Sequence, residues 1–394
     1  MDCGELRRDL VDRLVERRTA RTQPVIRALR DVPRDAFLPG IPPEDAYADR
    51  SIALIVENGV TLSSASQPSM IAEMLEQLAV QPGDRVLEIG TGSGYNAALL
   101  AHLCGPRGSV VTIDLDAGLA ERAAGILRST GFERVRVLAG DGAAGAAQWA
   151  PYDRIILTVA ADDVVDAWRT QLAAHGRLVL PLTLRALQES VAFEGRDPLR
   201  SVSIVGASFV SLRGSSAIAE HEVEIDCAPT IRLRAAEPGR IDPVAIAQHL
   251  NDAPRIVEME NVAADDLWNG LDVWLDVHLR DAALAMANGH GNGACVGEWL
   301  STSRDEPRFA TTFALCNDRG IAFFVRERRG RVSLACYGDA GALIDAAWAA
   351  IDGWLERGRP PTRMLEISAH ARTRPVGADV TLEKASVTLA LRWN

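Results

Sequence analysis

The run Val86-Leu87-Glu88-Ile89-Gly90-Thr91-Gly92-Ser93-Gly94-Tyr95 is where residue types and spacing first suggest chemistry. Three glycines at alternate positions let a backbone turn sharply and approach a ligand closely. A carboxylate, Glu88, sits inside the apolar run that precedes them. A second, Asp114, closes the next apolar run 26 positions later, where it suits the two donors of a ribose diol. A third, Asp141, lies in Gly140-Asp141-Gly142 at the end of a third run, where it can accept from an exocyclic adenine amine. Turn, ribose acceptor and base acceptor therefore follow in order. No phosphate-binding lysine follows the glycines, which sets a nucleoside triphosphate aside. A nicotinamide cofactor is the competing ligand, but its GxGxxG normally runs straight into a helix. A tight strand–helix turn without ligand is the plainest alternative. The pattern favours S-adenosyl-L-methionine.

Such a cradle needs parallel strands that end on one side. Short apolar runs at Arg85–Ile89, Ser109–Ile113, Val135–Ala139, Arg154–Val159 and Arg177–Pro181 alternate with helical patterns at Tyr95–Leu103, Leu119–Thr130 and Val164–Ala173. That alternation predicts a parallel, doubly wound α/β sheet covered on both faces; with the S-adenosyl-L-methionine motif it is expected to be a Rossmann-like class I methyltransferase domain. Leu6, Leu10, Val11, Leu14 and Val15 mark an amphipathic first helix, and Ser69–Leu78 another. The alternation ends near Gly214. Beyond it, Thr311–Leu315, Ile321–Val325 and Arg331–Cys336 read as a strand meander, Leu343–Leu355 as a helix, and Met364–Ser368 and Val387–Trp393 as two more strands. The expected organisation is residues 1–214 as a methyltransferase domain and 215–394 as a smaller α+β domain with an antiparallel sheet.

Composition narrows the partners. The chain has 394 residues, 47% of them hydrophobic, with 42 basic against 53 acidic side chains for a net charge of −11. This is an ordinary globular mix. The acidic balance argues against a nucleic-acid partner. There is no apolar run long enough for a membrane span and no basic-then-apolar signal at the start. The six cysteines (Cys3, Cys104, Cys227, Cys295, Cys316, Cys336) show no CxxC, which suits reduced thiols in a cytoplasmic protein without a metal site. Oligomeric state is not legible. His221-Glu222-Val223-Glu224 lacks the second histidine of a zincin motif. Gly289-His290-Gly291-Asn292-Gly293 reads as a loop before it reads as an anion cradle. Trp268, Trp274, Trp348 and Trp354 sit on apolar stripes and read as core, with a peptide-gripping surface as the sharper option.

Four blocks in order give the chain a family resemblance: Val32–Pro39 with Ala46-Tyr47-Ala48-Asp49; Ser63-Ser64-Ala65-Ser66-Gln67-Pro68; the glycine motif with Tyr95-Asn96-Ala97-Ala98; and Gly140-Asp141-Gly142 with Ala150-Pro151-Tyr152-Asp153-Arg154-Ile155-Ile156. Over residues 5–214 the chain resembles the protein-L-isoaspartate O-methyltransferase family. It departs from the repair enzyme in two ways: some 180 residues follow Phe209-Val210-Ser211-Leu212, and Val159-Ala160-Ala161-Asp162-Asp163 replaces the usual Ala-Ala-Ala-Pro-type loop. With Leu38-Pro39-Gly40, Ser64-Ala65-Ser66-Gln67-Pro68 and Ser190-Val191-Ala192-Phe193-Glu194, its overall arrangement is similar to the actinobacterial peptide-aspartate methyltransferases of lanthipeptide (FxLD) systems.

The resemblance implies methylation of an Asp side chain in a ribosomally made, modified precursor peptide, leading through a succinimide to isoaspartate. It implies Ser66 as the catalytic serine facing the acceptor, with Ser63 and Ser64 near the cofactor. Together with Glu88, Gly90, Thr91, Gly92, Gly94, Asp114, Leu115, Asp141 and Gly142 these form the expected S-adenosyl-L-methionine site. An aspartate carboxylate titrates near ~3.9, so it is already the nucleophile at neutral pH and positioning is the main task. Ser66 could instead cap the following helix. General isoaspartate repair, small-molecule O-methylation and a non-catalytic peptide scaffold are the competing functions.

Overall fold

The computed structural model describes all residues except 1, 58–59, 218–221, 228–229, 236, 280–282, 291–300, 303–308 and 328–329. His221, Cys295 and residues 291–293 of the glycine-rich stretch lie outside the described residues. The chain forms two compact units. The first comprises residues 1–182, 188–218 and 366–391; the second comprises 183–187, 219–365 and 392–394.

The first unit opens with helices α1 (Cys3–Glu16), α2 (Gln23–Asp31) and the single turn α3 (Pro43–Ala46). α1 starts where the Asp2 side chain accepts from Glu5 N and the Glu5 side chain from Asp2 N. It buries Leu6, Leu10, Val11 and Leu14 of the expected apolar face, while Val15 is exposed. A hairpin follows, β1 (Ile52–Glu57) and β2 (Val60–Ala65), and leads into α4 (Pro68–Leu78), whose proline occupies the first turn. Then come β3 (Arg85–Ile89), α5 (Tyr95–Cys104), β4 (Ser109–Asp114), α6 (Ala117–Ser129), β5 (Arg136–Ala139), β6 (Tyr152–Leu157), α7 (Asp166–Gln171) and β7 (Leu172–Thr183). Each element from β3 to β7 corresponds to one expected from the sequence, whereas α2, α3, β1 and β2 were not expected. β8 (Gln188–Gly195) and β9 (Leu199–Ala207) were not expected. β8 starts with Gln188, Glu189 and Ser190, which look unsuited to a core strand, yet all three are buried. Ser190 is accommodated because its hydroxyl and carbonyl pair with the Gln77 side chain.

The second unit holds β10 (Glu222–Ile225), β11 (Ile231–Ala235), α8 (Pro243–His249), β12 (Arg255–Ala263), α9 (Ala264–Asp266), α10 (Asp272–His278), β13 (Ala283–His290), β14 (Ser301–Thr302), β15 (Phe309–Cys316), β16 (Gly320–Arg326), β17 (Arg331–Gly338) and α11 (Gly341–Glu356). Its eight-stranded sheet runs β10-β11-β13-β15-β16-β17-β12, with β14 beside β15. The recorded pairings are antiparallel, as the meander predicted. Ile231, Leu233, Ile246, Phe323 and Tyr337 share one core. Trp274 and Trp354 are buried as expected, Trp348 is half-buried, and Trp268 is 42% exposed.

The chain then returns to the first unit with β18 (Leu365–His370), β19 (Val380–Glu383) and β20 (Thr388–Trp393). The large sheet has ten strands in the order β19-β20-β18-β9-β8-β7-β6-β3-β4-β5. This differs from a single division at residue 214. The two last strands expected in the second fold extend the first sheet instead, because β9 would otherwise be an unpaired edge and β18 bonds to it. The pairs β3–β4, β3–β6, β4–β5 and β6–β7 are parallel. Strand order reverses at β3, so a crevice lies where β3 and β6 end side by side.

Candidate active site

A cavity opens at that crevice. It is lined by Gly90 and Gly92 of the turn, by Asp114, Leu115 and Gly142, and by Ser63 and Ser64 from β2. Seven residues singled out from the sequence thus line one space. Gly90, Gly92 and Gly94 have φ of +101°, +52° and +85°, the left-handed region that glycine alone enters without strain. At Gly90 a Cβ would lie 2.5 Å from Thr158 Oγ1, so a side chain there has no room.

Asp114 is 9% exposed, and each of its oxygens accepts one backbone N–H: Oδ2 from Gly92 at 2.9 Å and Oδ1 from Asp116 at 3.0 Å. A carboxylate offers about four acceptor positions, so it can tie down the glycine turn and still receive a diol. Asp141 is bound in a similar way, with Oδ1 accepting from Ala143 N at 2.9 Å and Oδ2 from Ser215 N at 2.7 Å. Burial pushes its pKa up, but the bonds from Ser215 and Ala143 more than compensate and hold it below the usual carboxylate range. Gly214 packs on this carboxylate so closely that a Cβ would lie 2.7 Å from Oδ1. Close-approach glycines, a carboxylate with spare acceptor capacity and a strand-end crevice fit an adenosine-bearing ligand.

Glu88 is placed differently from the expectation of direct contact. It is wholly buried behind the turn. Its Oε1 accepts from Asn96 Nδ2 at 2.8 Å and its Oε2 from Thr112 Oγ1 at 2.6 Å. Thr112 also bonds the Thr91 hydroxyl at 2.7 Å, so Thr91 belongs to this buried network. Burial raises the Glu88 pKa to about 7, although the Thr112 and Asn96 bonds pull the other way; the Asp114 charge adds to the rise. Glu88 and Thr91 therefore brace the turn from behind.

Ser66 follows β2, and its carbonyl accepts from Arg34 Nη2 at 2.9 Å. It does not cap α4. Gln67 holds the N-cap position, and no side-chain capping bond is made there. Arg34 is 1% exposed, also donates Nε to Ala46 O at 2.9 Å, and sits 5.1 Å from the Tyr95 ring centroid. The first sequence block thus secures the second. Desolvation lowers the Arg34 pKa. Sequence reasoning passed over Arg34, Asn96 and Thr112, and also Thr158, Val159, Ser211 and Arg213, which complete the cavity wall. The only available signal was that Arg34 and Asn96 fall inside the family blocks, and Val159 and Ser211 inside the two segments where the chain departs from the repair enzyme.

The parallel order, the glycine turn and the two strand-end aspartates define a class I, S-adenosyl-L-methionine-dependent methyltransferase. The family model for protein-L-isoaspartate(D-aspartate) O-methyltransferase matches residues 5–216, and the chain belongs to that family. A protein named protein-L-isoaspartate O-methyltransferase from Methanothermobacter thermautotrophicus is 40% identical over 211 residues, 53% of this chain and 95% of the relative. One of the same name from Roseiflexus sp. is 39% identical over 55% of this chain and 96% of the relative. A solved structure with this name shares the fold over 92% of this chain and 96% of its own, with a TM-score of 0.52 at 22% identity. That match extends well past residue 216, so an appended second fold does not by itself set a chain apart from proteins of that name. The chain is an S-adenosyl-L-methionine-dependent carboxyl O-methyltransferase.

Proposed function

We propose that the acceptor is the side-chain carboxylate of an aspartyl residue in a modified, ring-bearing precursor peptide, and that the methyl ester then closes to a succinimide and opens to isoaspartate. The observation that carries the carboxylate acceptor is the cavity wall. Among the described residues it presents the hydroxyl residues Ser63, Ser64, Thr158 and Ser211 and the cation Arg213, but no His, Cys, Lys or Tyr that would take a proton. Its one acid, Asp114, is already committed to the turn. An acceptor that arrives ionised needs no base. The cofactor supplies an electrophilic methyl group. Asp114 orients the ribose, Asp141 and Gly142 face the adenine, Ser63, Ser64, Gly90, Gly92, Gly94 and Leu115 shape the cradle, and Glu88 and Thr91 brace it. Ser66, held through its carbonyl by Arg34, aims the acceptor carboxylate. The Asp162-Asp163 departure and the likeness of Leu38-Pro39-Gly40 and Ser190-Val191-Ala192-Phe193-Glu194 to the lanthipeptide-associated enzymes support the precursor-peptide reading, with the second unit contributing to peptide selection. Among the described residues no helix is long and apolar enough to cross a membrane, and no metal cluster occurs. No disulfide joins the described cysteines.

The test compares methylation of a cyclised precursor, its linear form and an unrelated isoaspartyl peptide by the full chain. A ring-constrained peptide has less entropy to lose on binding, so the cyclised form should react fastest. Equal rates on all three would establish general repair instead. A fragment of residues 1–214 is not a fair control, since it lacks three strands of the large sheet.

A further inference from the structure

Lys384 is the sole lysine among 394 residues, against 41 arginines. Its side chain is 8% exposed, and its Nζ sits 2.6 Å from Asp162 Oδ1. Two residues on, Ser386 N donates to Asp163 Oδ2 at 2.6 Å. Lys384 N donates to Val387 O at 2.9 Å, closing the turn between β19 and β20. The tip of the last hairpin therefore seizes both aspartates that distinguish this chain from the repair enzyme's usual loop. A compact ammonium suits a site with so little room better than a guanidinium.

The loop so held runs directly to the cofactor cavity. Thr158 and Val159 line that cavity. The Thr158 hydroxyl donates to Gly90 O at 2.6 Å. Ala160 N donates to Val210 O at 2.9 Å and Leu212 N to Ala160 O at 2.7 Å, while Ala161 N donates to Pro181 O at 2.8 Å. Residues 158–163 are thus fixed at the glycine turn, along both sides, and at Asp162-Asp163. The last of these anchors comes from residues that the family model does not reach. The same returning segment is tied on elsewhere: Asp197 accepts from Ala371 N and Arg372 N at 3.0 and 3.1 Å.

We infer that Lys384 is a positioning residue for methyl transfer: by holding Asp162 it sets the wall formed by Thr158, Val159, Val210 and Leu212. The inference rests on the methyltransferase activity alone, not on the identity of the peptide. In-line transfer is sensitive to small misplacement, so relaxing this wall should reach turnover before it reaches affinity.

The test uses the full chain, as wild type, Lys384→Met, Lys384→Arg and Asp162→Asn. Two readouts are taken: amide hydrogen exchange of residues 158–163 against β3, and steady-state methyl transfer to whichever aspartyl or isoaspartyl peptide the wild type accepts. Lys384→Met should speed exchange in 158–163 by about tenfold while β3 stays protected, and lower kcat about tenfold with the cofactor KM within about threefold. Lys384→Arg should recover part of both. Asp162→Asn keeps the side-chain shape and tests the same contact from the loop, should the Met variant fold poorly. Unchanged loop exchange in Asp162→Asn, or equal acceleration in the loop and β3 with kcat per folded molecule intact, would overturn the inference and leave Lys384 a merely structural contact. A wild type that prefers no cyclised peptide would defeat the peptide assignment while leaving the exchange result standing.

Discussion

Replacing Glu88 with Gln should make the first unit more stable at neutral pH, and the size of the gain follows from where the carboxylate sits. Burial shifts its pKa from an ordinary 4.5 to about 7, with the Asp114 charge adding and the Thr112 and Asn96 bonds opposing. The folded-state value lies above the unfolded one, so the native state holds its proton longer than the unfolded state does. The associated stability is complete below about pH 4.5 and is lost as pH rises through about 7. At about 1.4 kcal/mol per pKa unit the loss comes to roughly 3 kcal/mol. A glutamine carries no charge to desolvate. Its carbonyl can accept from Asn96 Nδ2, and its amide can donate to Thr112 Oγ1, whose proton then turns to Thr91. The network stays satisfied. Urea unfolding of both chains, followed by amide protection of β3, should show stabilities that coincide near pH 4.5 and diverge by up to roughly 3 kcal/mol above pH 7, the variant being the more stable. Cofactor affinity should change less than in an Asp114 variant, because Glu88 is behind the turn. Parallel stability curves from pH 4.5 to 8 would refute the buried, neutralising carboxylate.

Four further outcomes follow from the site. Asp114→Ala removes the acceptor of Gly92 N and the expected diol contacts; at about 1.5–3 kcal/mol for charge-assisted bonds, calorimetry should find cofactor binding weaker by roughly tenfold to a hundredfold. Gly90→Ala forces a Cβ to 2.5 Å from Thr158 Oγ1 at a φ of +101°, and should cost about 1–3 kcal/mol in thermal unfolding along with cofactor affinity. Ser66→Ala should lower methyl transfer with cofactor affinity within a few-fold and unfolding unchanged, since the hydroxyl caps no helix; full turnover would remove Ser66 from the reaction. Arg34→Met removes the donors to Ala46 O and Ser66 O and leaves two carbonyls short of a partner, so thermal melts should show a loss of about 1–3 kcal/mol per unsatisfied group, and methyl transfer should fall with Ser66 untouched.

By itself the sequence determined the parallel half of the large sheet and its cradle. Glycines that must take positive φ, acids that close apolar runs, and apolar runs of strand length are local properties, and local steric and solvation rules translate them directly into a turn and strand ends. Gly90, Gly92, Asp114 and Gly142 meet at one cavity as their spacing required. What depended on partners far along the chain was decided only by the tertiary structure. Glu88 looks like a ligand contact until Asn96 and Thr112 are seen to occupy both of its oxygens. Gln188, Glu189 and Ser190 look like surface until Gln77 makes Ser190 a core residue. Residues 366–391 read as the end of a second fold, yet they extend the large sheet through β18, which pairs with β9. No periodicity tells a strand which edge it will join, because the edge that receives Ser368 is created at Arg200, far back along the chain. The pairing of Lys384 with Asp162 has the same origin: both charges are visible in the sequence, but only the folded sheet brings an ammonium and a carboxylate separated by 222 residues to 2.6 Å.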